Sequence, residues 1–175
     1  MVRKLVVLPV LVALACVVAG AYGAAHNQLS YTIAPEYFHG LKFQQFRIPG
    51  DLHNRLGAAI VGWRASWWTG VFLGGVVAVA ALTVRGGVGA FTRIFVRALF
   101  GVIAGAAVVG GLTLLVAFTL FTRDQVASLP QLASRADPLA FARAGALHDA
   151  TYIGAGLATA VAVVLILRAA VRSRR

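Results

Sequence analysis

Four long apolar runs, each near the roughly 20 residues that cross a bilayer core, make up most of this chain. They fall at about residues 5–24, 60–84, 98–121 and 150–168. What lies between them is sharply sorted. The five acidic residues (Glu36, Asp51, Asp124, Asp137 and Asp149) and the four histidines (His26, His39, His53 and His148) all fall in segments 25–57 and 122–150. The N-terminus, residues 85–97 and the C-terminus carry nine basic residues and no acid. Positive charge gathers at cytoplasmic span ends, so both termini are expected in the cytoplasm, and an even number of spans agrees with that. The expected fold is an all-α membrane protein: a four-transmembrane-helix bundle with a small extracytoplasmic cap built from two loops and helix extensions.

Composition closes off other classes. A soluble domain that is 60% hydrophobic would expose too much apolar surface, so residues 1–175 read as one membrane domain. The net charge of +11 comes from arginines flanking apolar runs, not from a basic patch interleaved with aromatics, so nucleic acid is not an expected partner. Cys16 is the one cysteine, which excludes an internal disulfide and a cysteine metal cage. Fourteen arginines against two lysines, with abundant Ala, Val and Gly, suggest a GC-rich bacterial source and hence the bacterial inner membrane. Span one follows Arg3 and Lys4 and reads as an uncleaved helix with Pro9 near its inner end. The rival is a cleavable signal peptide ending in Gly23-Ala24-Ala25.

Local signals set out the remaining expectations. Gln28–Ile33 has β-branched and aromatic content suited to a short strand. Pro35 opens a helical turn through Phe38. Pro49-Gly50-Asp51 reads as a turn with Asp51 as N-cap of a helix running from Leu52 to about Val84. Residues 85–97 read as an inner connection, and the Gly86-Gly87-Val88-Gly89 turn within it is not a phosphate loop. Trp63, Trp67 and Trp68 mark an interface, with Arg64 snorkelling beside them. Asp137-Pro138 reads as N-cap and first helical residue, with the helix running unbroken through Leu167. Gly70, Gly74, Gly101, Gly105, Gly110, Gly111, Gly154 and Gly156 suit close helix packing, within the bundle or in a homo-oligomer.

The span centres hold no ionisable group, which argues against a pump or coupled transporter. No nucleophile elbow or paired carboxylate is present, so an enzyme is not the expected reading. His26, His53 and His148, with Asp149, are expected to converge at the outer face, where imidazole and carboxylate would suit a metal, or two histidines a haem. The spacing lacks any tight metal motif. Residues 26–31 and 148–152 also share a short His…Tyr likeness. Tyr31, Glu36, Tyr37, Phe38, Phe43 and Phe46 form an aromatic-rich outer segment expected to bind a membrane-protein partner. The leading expectation is therefore a structural or partner-binding role through the cap. A metal or haem site and passive oligomeric transport are the alternatives.

The run Tyr31-Thr32-Ile33-Ala34-Pro35-Glu36-Tyr37-Phe38, followed by Lys42-Phe43-Gln44-Gln45-Phe46, resembles a segment of an uncharacterised family of small bacterial four-span inner-membrane proteins. The resemblance covers about residues 1–80, including His26 and the tryptophans, and the relatives carry serine where this chain has Ala34. It implies the four-span topology and brings no activity.

Overall fold

A computed structural model describes residues 2–173. Arg174 and Arg175 of the basic C-terminal cluster lie outside the described residues. Among the described residues there is no strand. Three helices are long and apolar enough to cross a membrane: α1 (Val2–Ile33), α6 (Val88–Leu120) and α8 (Pro138–Arg172). A fourth column is made of α4 (Arg55–Ser66) and, after a 41° bend, the π-helical turn Gly70–Gly74 with α5 (Gly75–Leu82). Between α1 and α4 the chain forms α2 (Pro35–Tyr37), a π-helical turn Phe38–Lys42, α3 (Phe43–Gln45) and a 3-10 turn Gly50–Leu52. The short α7 (Arg123–Ala127) follows α6. Large apolar side chains such as Val10, Phe72, Phe100, Leu112, Leu157 and Val161 face outward around the columns, compatible with a lipid exterior.

Two pairings define the packing, α1 on α4 and α6 on α8. Both rest on residues without bulk. A side chain on Gly62 would strike the Gly23 carbonyl, one on Gly23 the Gly62 carbonyl, and one on Gly70 the backbone of Cys16. On the other pair, Gly105 sits on Ala158, Gly110 on Thr151 and Gly154 on Val109. Close approach of this kind lets dispersion act along whole helices where no hydrophobic drive exists. Gly75, Gly101, Gly111 and Gly156 face open space and take no part.

The two pairs meet at two apolar clusters. Near the chain termini, Leu11, Val77, Phe91, Phe95 and Ile166 pack together. At the opposite, capped end, Tyr37, Phe38, Phe43, Val61, Phe141 and Ala144 do so. Polar contacts reinforce both. Lys4 is buried and its ammonium donates to the Val84 carbonyl at 2.7 Å, satisfying an orphan acceptor past the end of α5. At the cap, the Glu36 carboxylate accepts from the backbone N–H groups of Ala136 (3.0 Å) and Asp137 (2.8 Å). Arg143 donates to the last carbonyls of α6, Ala117 at 3.2 Å and Phe118 at 3.4 Å.

Several local expectations change. Gln28–Ile33 is the last part of α1, not a strand. Its polar side chains serve the helix pair: Gln28 donates to the Arg55 carbonyl at 3.1 Å, and Arg55 donates to the Thr32 hydroxyl at 3.1 Å. Tertiary contact overrides local β propensity there. The N-cap of α4 is Asn54, whose side chain accepts from the N–H of Leu56 at 2.8 Å; Asp51 lies in the preceding 3-10 turn. The second column is bent, not continuous. The connection to α6 is short, because α6 already begins at Val88, and Gly86 turns it with φ of 121°. Pro9 lies within α1. Asp137 caps α8 as expected, accepting from Ala140 at 3.2 Å.

Replacing Gly62 by valine should wedge α1 from α4 and lower stability by about 2–3 kcal/mol, the usual cost of overpacking. Gly111→Ala, in open space, should leave stability unchanged or raise it by up to about 1 kcal/mol through helix propensity. Thermal unfolding in detergent, followed by circular dichroism, checks both; equal effects would contradict the packing.

Candidate functional site

Between the two apolar clusters the helix pairs face each other through small residues. Ala15, Ala19 and Gly74 on one side and Ala106 and Ala155 on the other do not fill the gap, and a cavity of about 140 Å³ remains. Its lower wall is apolar, with Leu73, Leu99 and Val102. Its upper wall is polar, with Tyr22, His26, Tyr37, Lys42, His148 and Asp149. Trp63 lies against Gly20, so His26 stands six residues, about 9 Å of helix rise, further toward the cap. The histidines, Tyr37 and Lys42 thus lie beyond the apolar runs.

The centre of this upper wall is a histidine pair. His26 Nε2 and His148 Nδ1, 122 residues apart in sequence, share a hydrogen bond of 3.0 Å, with ring centroids 5.0 Å apart. Tyr37 lies over His148 at 5.2 Å and edge-on to Phe141 at 4.9 Å. Lys42 sits 5.4 Å from the Tyr37 ring and donates to Gln45 at 3.1 Å. Burial holds His26 at about 4, well below the usual imidazole value. Burial, and then the neighbouring His26 and Lys42 charges, hold His148 at about 3. Burial also lowers Lys42, against an opposing pull from Asp149, and raises the Tyr37 hydroxyl, to which Asp149 adds.

Both imidazoles are therefore neutral near pH 7. A neutral pair shares one bridging proton, so its two outer nitrogens comprise one donor and one acceptor in either tautomer. Neither outer nitrogen has a hydrogen-bond partner among the described residues. Exchanging the two roles without leaving charge takes a matched move: as the bridging proton crosses, one outer nitrogen gives up a proton and the other takes one up. A site of this kind can meet a ligand oxygen as donor or as acceptor.

The expected convergence of three histidines does not occur. His53 Nε2 bonds the Ile48 carbonyl at 3.0 Å, and its ring stacks on Phe43 at 4.6 Å. It neighbours His39, at 5.9 Å, whose Nε2 meets the Tyr31 hydroxyl at 3.0 Å. The 3-10 turn at Gly50–Leu52 delays the start of α4 and leaves His53 before that helix, outside the cavity. Among the described residues no three His, Cys, Asp or Glu side chains are grouped to hold a metal. Two nitrogens at 3.0 Å leave no room for an iron between them, and 140 Å³ cannot enclose a macrocycle, so the pair does not fit a bis-histidine haem.

The outer aromatic segment is largely used within the chain. Tyr37, Phe38 and Phe43 are buried, Glu36 latches the start of α8, and Tyr31 holds His39. The Phe46 carbonyl accepts from Arg64 at 3.2 Å, which accounts for that arginine. Tyr22, Lys42 and Tyr152 line the wall and were not among the sequence candidates. Two carried a readable signal, since Tyr22 precedes His26 by four and Tyr152 follows His148 by four, the spacing of one helix face.

The folded pair binds protons less readily than the unfolded chain, so its contribution to stability is complete above about pH 6.5. It is lost as pH falls from 6.5 toward about 4 and 3. The thermal midpoint should be flat between about pH 8 and 7 and fall below about 6.5, with a shallower fall in the double variant His26→Phe/His148→Phe. Resonances assigned to His26 and His148 that titrate near 6.5 would contradict the buried neutral pair. No family model, no curated protein and no solved structure matches this chain.

Proposed function

We propose that this chain is a four-span integral protein of the bacterial inner membrane, with both termini cytoplasmic and the cap outside, that binds a small ligand in the cavity beneath that cap. The orientation rests on the arginine excess at the terminal end and on the tryptophans at the level of Gly20. The observation that carries the binding reading is the histidine pair itself. Two imidazoles from α1 and α8 meet in the wall of a cavity with their outer nitrogens unpartnered. Both nitrogens are free to meet a molecule in that space. Convergent polar groups in a mostly apolar cavity are the usual mark of a ligand site.

A docking role for the cap is the weaker reading, because the aromatic rings that motivated it are mostly turned inward. Metal binding keeps one supporting feature, two neutral imidazole nitrogens close together, but lacks a third ligand.

Two experiments test the proposal. In a Cys16→Ser background, single cysteines at Ser134 and Ser173 should label from opposite faces of the membrane; labelling from one face overturns the topology. Native mass spectrometry from mild detergent should show a retained small molecule that Ala155→Phe, which fills the cavity, removes. Protein that carries nothing, with metal analysis also blank, would overturn the binding reading.

A further inference from the structure

We propose that the cavity receives the head of a neutral, ring-headed lipid bearing carbonyl or hydroxyl oxygen, a quinone or its quinol, whose chain leaves between α4 and α8. This rests on the reading of the cavity as a ligand site. Size is the first argument. The volume of about 140 Å³ is close to that of an engineered apolar cavity of roughly 150 Å³ that holds benzene, so one substituted six-membered ring fits and a diacyl headgroup does not.

Charge is the second argument. Lys42 and Asp149 both line the upper wall and offset one another, and the histidines are neutral. A phosphate or carboxylate would meet no surplus cation, whereas a neutral oxygen needs only a hydrogen bond. The histidine pair supplies one in either sense: its N–H suits a quinone carbonyl, and its bare nitrogen accepts from a quinol hydroxyl. A neutral pair always presents one outer donor and one outer acceptor, so the same wall accepts both forms. The inference is one of binding, with no electron transfer assigned. Tyr22 and Tyr37 line the same space.

The opening is the third argument. Between α4 and α8 the wall is thin: Ser66, Thr69, Ile103 and Ala155 are half-buried, and Tyr152 is 46% exposed. The one hydrogen bond joining α4 to α8 among the described residues runs from the Tyr152 hydroxyl to the Ala65 carbonyl, at a long 3.4 Å. Ala65 lies between Trp63 and Trp67, so this weak seam sits at the interfacial level, where a lipid head enters from the side and its chain remains in the bilayer.

The test uses the full chain in maltoside micelles, with thermal unfolding read against three probes: a benzoquinone carrying a decyl chain, decanoate, and zinc chloride. A saturable rise in midpoint with the decyl quinone alone is expected, since a ligand that binds only the folded state stabilises it. Ala155→Phe should abolish the rise. His148→Phe should weaken binding about three- to tenfold, the loss of one neutral hydrogen bond. Ile103→Phe narrows the space from α6 and replaces Ala155→Phe if that variant does not fold. Equal stabilisation by decanoate, stabilisation by zinc alone, or a quinone shift indifferent to every variant overturns this inference and leaves the binding reading standing. Silence from all three probes, together with a blank native mass spectrum, overturns both.

Discussion

The contact between the Gly23 and Gly62 backbones brings α1 and α4 closer than any side chain would permit, and much of the architecture follows from that approach. Helices in an apolar surrounding gain little from hiding apolar surface, so adhesion comes from shape and dispersion. Small residues supply it on α1 with α4, and again on α6 with α8. A face made of small residues is also a face that cannot fill space. Where the two pairs look at each other through Ala19, Gly74, Ala106 and Ala155, the residue types that suit tight pairs leave a cavity. The cluster of Phe91 and Phe95 packs toward one end of the bundle, and that of Tyr37, Phe38 and Phe141 toward the other. The site is a by-product of how the pairs are built, lined with polar groups only at the end where water or headgroups can reach.

The polar groups at that end are balanced instead of accumulated. Lys42 stands with Asp149, and the imidazoles answer each other. The Lys42 ammonium is met by the Gln45 amide oxygen and by the field of Asp149. What remains unsatisfied is directional, not electrostatic. That distinction separates a site for a neutral oxygen from a site for an anion, and it is why two histidines matter here more than the chain's large positive charge.

Much of the fold was legible because its signals are local. Apolar runs long enough to cross a bilayer located the three long helices, and Asp137-Pro138 located the start of α8 to the residue. Local signals misled where a distant partner decided the outcome. Thr32 and Ile33 favour a strand in isolation, but Arg55 reaching back to Thr32 belongs to a helix pair. Asp51 and Asn54 are both good caps three residues apart, and only the intervening 3-10 turn selects Asn54. The site was half legible. His26 and His148 were singled out, but together with His53, whose placement depends on where α4 begins. The tyrosines four residues from each member of the pair were the missed clue, because they put an aromatic on the same helix face as each histidine.

The Glu36 latch has a consequence for how the chain is made. Its carboxylate holds backbone groups at Ala136 and Asp137, one hundred residues later, and the histidine pair likewise joins α1 to α8. Neither can form until the last helix has left the ribosome and inserted. Until then Tyr37, Phe38 and Phe43 have only part of their core, and a nascent chain of three columns carries an unfinished aromatic face. Completion of the cap is thus a late, long-range event. A cell that inspects this protein for exposed aromatic surface would in effect be reading whether α8 has docked.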